Sequence, residues 1–162
     1  RDSILSVSGE LNLEMGGPGF NFFQSRGGLN GFPPVQNYSE KELRRMIYAH
    51  KIRMEPAPIF GAFDCPDAGQ PTAKRGRSTT AIQALNLFNS PFIHERGLAF
   101  SERIISDTSD NIDHQIEYAF LLALGRKPNA VERDATRDAV LQHGLPTLCR
   151  VLFNSNEFLF LP

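Results

Sequence analysis

The stretch 63–92 reads FDCPDAGQPTAKRGRSTTAIQALNLFNSPF, and its interpretation decides the fold. A turn-rich piece with Asp64, Pro66, Asp67 and Gly69 passes into a basic one with Lys74, Arg75 and Arg77, then into Ser78, Thr79 and Thr80. Hydroxyl oxygens in that position accept hydrogen bonds from the free N–H groups of a helix's first turn. Ala81, Leu85 and Phe88 follow at i, i+4 and i+7, the spacing of a helix packed along one face. Ser90 before Pro91 opens a second helix, because proline's fixed φ suits the first helical position.

Toward the C-terminus the pattern stays helical. Ile93, Gly97, Phe100 and Ile104 form the stripe of the helix after Pro91. Asp110 is expected to cap the next, with Ile112, Ile116, Ala119 and Ala123 inward and Gly125 at its end. Asn129 and Glu132 have capping-box spacing and open a helix through Val131, Ala135 and Ala139 to Gly144. Leu145, Leu148, Cys149 and Leu152 line the last helix. Asn154, Ser155, Asn156 and Glu157 end it, and the aromatics of Phe158-Leu159-Phe160 fold back on the bundle. Five helices joined by short turns predict a helical bundle over 78–162.

Toward the N-terminus regularity fades. Residues 14–38 hold six Gly, three Pro and the four phenylalanines Phe20, Phe22, Phe23 and Phe32, a long irregular excursion. A flexible linker would lack the aromatics, so they are expected to pin the loop to the core; the alternative is an aromatic contact surface. Ser39-Glu40-Lys41-Glu42 has capping-box spacing, whereas Ile47 and Ile52 suit a short strand, and the choice at 39–52 stays open. Ile4, Leu5 and Val7 form a short apolar run expected to end a helix entering from upstream, with Gly9 as its C-terminal cap. The expectation is a mainly α fold in one domain, residues 1–162. It combines an irregular Gly/Pro/Phe-rich front (1–77), in which a minor β contribution is left open, with a helical bundle (78–162).

Composition narrows the partners. Seventeen Lys+Arg against 18 Asp+Glu leave a formal charge of -1, which gives no electrostatic reason to expect nucleic acid. No apolar run approaches the length of a membrane-spanning helix, so no membrane insertion is expected. Gly16-Gly17-Pro18-Gly19 is not read as a phosphate loop, since no strand precedes it and no Lys-bearing helix follows. His50, His94, His114 and His143 are scattered, which speaks against a metal site built from neighbouring ligands, and no catalytic triad or cofactor motif is nominated. Cys65 and Cys149 form one bridge or stay two thiols; spacing does not decide. The chain begins at Arg1 inside a helical pattern and is expected to be part of a larger protein.

The segments RDSILSVSGELNLEMGGPG, RRMIYAHKIR, FDCPD, RSTTAIQALNLFNSPF, IEYAFLLALGRKPNAVE and CRVLFNSNEFL, in this order, resemble the C-terminal part of a planctomycete domain family of unknown function. The resemblance implies a place at the C-terminal end of a large exported protein, sometimes with planctomycete-type cytochrome c domains. It therefore implies a secreted or periplasmic location, with upstream domains of the parent or another protein as partners. It carries no catalytic residue. The family usually has Thr where this chain has Asn129, and often Cys where it has Thr72.

Two places remain as candidate sites. Asp64 and Asp67 are read as turn residues around Pro66, the alternative being paired carboxylates for acid–base work or a hard cation. Arg75 and Arg77, with Lys74 and the caps Thr79 and Thr80, would bind an anion at the helix start, or else pair with Asp64 or Asp67 across the turn; the pairing is preferred. Gln83 and Asn86 are assigned to the polar, solvated side of that helix. Phe20, Phe22, Phe23 and Phe32 are the candidate interface. The expected function is a non-catalytic structural or interaction module, and the alternative is part of an exported enzyme or binding domain acting on a carbohydrate or polyanion.

Overall fold

The computed structural model describes residues 1–24, 34–35, 38–52, 62–64, 71, 73–74, 76 and 78–160. Expectations resting on Phe32, Cys65, Asp67, Thr72, Arg75 and Arg77 lie outside the described residues. The fold is mainly α, and the chain divides into two compact units: Arg1–Asp2 with Leu11–Asn86, and Ser3–Glu10 with Leu87–Pro162.

In the first unit the regular pieces are short. Strand β1 (Phe20–Asn21) runs parallel to β2 (Ala49–His50), pairing Phe20 with Ala49 and Asn21 with His50. Gly19 makes this pairing feasible, since a Cβ there would stand 2.5 Å from the Tyr48 carbonyl oxygen. The open choice at 39–52 resolves into both elements. Single 3-10 turns form at Glu40–Glu42 and Met46–Tyr48, the Glu42 carboxylate accepts from the Ser39 N–H at 2.6 Å, and β2 follows.

The second unit is the helical bundle. Most of helix α1 (Asp2–Ser8) belongs to it, ending at Gly9 with φ 83°, a conformation that favours glycine. Helix α2 (Ala81–Asn89) starts in the first unit and contributes Leu87 to Asn89 here. Helix α3 (Pro91–Asp107) begins at the Ser90 cap, whose hydroxyl accepts from the Ile93 N–H, and buries Ile93, Gly97, Phe100 and Ile104 as expected. Helix α4 (Ile112–Leu124) is capped by Asn111 rather than Asp110: the Asn111 amide oxygen accepts from the N–H groups of Asp113 and His114. The two polar residues are adjacent, and Asn111, on extended backbone, is the one whose oxygen reaches the first turn.

Helix α5 (Ala130–His143) has the predicted box, with Asn129 and Glu132 exchanging bonds of 2.9 and 2.8 Å. The helix runs through Val131, Ala135 and Ala139 as expected. Val131 is 79% exposed and Ala135 is also exposed, while Glu132, Thr136, Ala139 and Val140 are the half-buried residues. This places the helix rim rather than a hydrophobic stripe against its neighbours. Gly144, at φ 81°, turns the chain directly into α6 (Leu145–Phe153).

Helix α6 is the centre of the unit and packs on α3, α4 and α5 and on the single-turn α7 (Asn156–Leu159). Its Leu145, Leu148, Cys149, Leu152 and Phe153 are all buried, with the Phe153 ring stacked on Phe100 at 5.5 Å and tilted against Phe158 at 5.4 Å. The polar residues after Phe153 end α6 and also start α7, because the Ser155 hydroxyl caps the Phe158 N–H. Cys149 is a free thiol, and burial pushes its pKa far up, so it behaves as a small apolar side chain.

Candidate functional site

At the start of α2 the described polar groups bind one another. Asp64, in the left-handed region at φ 54°, accepts from the Ser78 N–H at 2.6 Å and from the Ser78 hydroxyl at 3.0 Å. Thr80 and Gln83 form a reciprocal cap: the Gln83 N–H donates to the Thr80 hydroxyl at 3.3 Å and the Thr80 N–H to the Gln83 amide oxygen at 3.1 Å. The Gln83 amide nitrogen also donates to the Ala62 carbonyl at 2.9 Å and to the Ser78 hydroxyl at 3.2 Å.

Gln83 is therefore buried, not solvated, and Leu85, expected inward, is 59% exposed. The buried positions of α2 are Gln83 and Leu87, spaced i and i+4, so its inward face is offset from the apolar stripe by the pull of these polar bonds. Thr79 is exposed beside the cap. The N–H groups of Thr80 and Gln83 at the helix start are thus taken up internally.

The aromatic loop is organised by two arginines that nothing in the local pattern singled out. Phe20 and Phe22 are buried edge-to-face at 5.3 Å, with Phe23, Tyr38, Met46 and Tyr48 packed around them. Both rings lie under the Arg1 guanidinium, at 5.0 and 5.7 Å, while Arg1 donates to the carbonyls of Arg44 and Glu42, each at 2.6 Å. Phe20 and Phe22 thus face into the unit, and of the described candidate interface aromatics only Phe23 is half-exposed.

Arg44 is buried with its guanidinium 3.8 Å from the centre of the Tyr48 ring. It donates to the carbonyl oxygens of Glu14, Gly16 and Pro18, and the Gly16 N–H donates to the Tyr48 hydroxyl at 3.0 Å. The Gly16–Gly19 loop therefore turns its carbonyls inward around a cation, the opposite polarity to a phosphate cradle.

The charge clusters of the second unit include one around Glu10 and one around Arg126. Glu10 lies 2.9 Å from the buried Arg96 Nε and accepts from the Ser8 hydroxyl at 2.9 Å. Burial is the strongest influence on its carboxyl and outweighs Ser8 and Arg96, so the pKa stands above its ordinary value of 4.5. A raised carboxyl pKa contributes stability that is complete below 4.5 and lost as pH rises through the folded-state value. Glu10→Gln is expected to remove that slope: between neutral pH and pH 4.5 the wild type gains stability on the variant, as followed by urea denaturation at several pH values.

Arg126, beyond the Gly125 turn, holds Glu132 through two 2.8 Å bonds and Glu157 through two 2.7 Å bonds, tying the start of α5 to α7. Its guanidinium lowers both carboxyl pKa values, Glu132 to about 2. Here the sign is the reverse, and stability is lost as pH falls from 4.5 through about 2. Arg126→Gln is expected to lower stability at neutral pH and to flatten this acid limb, again read by denaturation across pH, and added salt should shrink the difference.

Among the described residues no group of three or more His, Cys, Asp or Glu is placed to hold a metal ion. The Thr-x-x-Gln spacing at 80–83 was a legible signal for Gln83, whereas Arg1, Arg44, Arg96 and Arg126 find partners set by the fold. No curated protein and no solved structure matches the chain. A family model described as a protein of unknown function (DUF1553) matches residues 1–140, taking in five of the six segments quoted above and ending before the sixth, CRVLFNSNEFL. The chain belongs to this PSD1 family of unknown function.

Proposed function

We propose that the chain is a non-catalytic interaction module whose first unit presents an apolar contact to another domain of the same parent protein. The observation that carries this reading is Met15. Its side chain is 79% exposed although the carbonyls on either side, of Glu14 and Gly16, are both held by Arg44 and the Gly16 N–H by Tyr48. A large apolar side chain held outward between bonded neighbours loses little conformational entropy when a partner covers it. Ile47, 84% exposed within its 3-10 turn, supplies a second such group. The order of the sequence segments supports placing the module at the C-terminal end of an exported multidomain bacterial protein of the planctomycete type, with cytochrome c domains in some parents.

The test is binding of this chain to the upstream part of its parent, supplied as a separate polypeptide. Met15→Asp and Ile47→Asp are expected to leave stability within about 0.5 kcal/mol, since both side chains are exposed. Together they are expected to weaken binding about tenfold or more. Unchanged affinity, measured by titration calorimetry, would overturn the proposal. The alternative, a carbohydrate- or polyanion-binding half of an exported enzyme, drew on Asp64, Asp67, Arg75 and Arg77. Of these only Asp64 is described, and its carboxylate is bonded to Ser78.

A further inference from the structure

We draw no further inference here: the strongest candidate, the side-chain cluster of Ser8, Glu10, Glu95 and Arg96 in the second unit, leaves the enclosed Nη1 of Arg96 without an acceptor among the described residues, but nothing among them shows an opening or a group that would occupy it.

Discussion

Arg44→Met is expected to destabilise the first unit by about 3 kcal/mol, because it removes a charged donor from three carbonyls at once. Glu14, Gly16 and Pro18 lie in an exposed loop, so water replaces part of what is lost, and this keeps the figure near the value of one strong charged hydrogen bond. Methionine fills the stem of the side chain against Tyr48 and isolates the polar loss from a cavity effect. Arg44→Lys is expected to recover little, since a single ammonium cannot reproduce a planar fork reaching Glu14, Gly16 and Pro18 together. Hydrogen exchange is the direct readout: amides of residues 12–21 should lose protection in both variants, while those of α3 and α6 keep theirs. Equal protection in wild type and Arg44→Met would show that the loop holds itself.

Gly97→Ala is expected to destabilise the second unit by about 2 kcal/mol despite alanine's better helix propensity, worth about 1 kcal/mol. A Cβ at Gly97 would stand 2.8 Å from Cγ of Arg150 and 3.4 Å from the Pro146 carbonyl oxygen, so α3 and α6 meet where only glycine fits. Arg150 is not free to swing aside: its Nη2 donates to the Phe88 carbonyl and its guanidinium lies 4.5 Å from the Phe88 ring centre. The two positions are accordingly expected to couple. In an Arg150→Ala background, the Gly97→Ala loss should shrink by about 1 kcal/mol, measured as a double-mutant cycle by urea denaturation. Strict additivity would place the strain on the Pro146 backbone instead.

Gly97 and Arg44 differ in how far local sequence pattern reveals them. Gly97 was legible as part of the α3 stripe because its neighbours repeat at helical spacing, and the stripe of α6 was legible for the same reason. Arg44 was legible only as a letter in a family segment. Its acceptors lie 26 to 30 residues away and are main-chain carbonyls, so no side-chain pattern advertises them.

The candidate site at the α2 start was legible in part. Thr80 caps as its position implies, while Asp64 also bonds Ser78, 14 residues on, and the burial of Gln83 depends on the Ala62 carbonyl 21 residues back.

What the sequence determined by itself is mostly what closes within one helical turn. Ser90, Asn129 with Glu132, Thr80 with Gln83, and the glycines at 9, 125 and 144 set the ends of helices through bonds or backbone angles spanning four residues or fewer. What only the tertiary structure decided is which face each helix turns inward and which charges meet. Leu85 and Val131 carry helical periodicity yet face outward, since periodicity says a stripe exists and burial depends on what else competes for the interior. Arg1, Arg44 and Arg126 likewise take their places from acceptors that folding delivers from distant segments, a pairing whose energy exists only once the chain has closed around it.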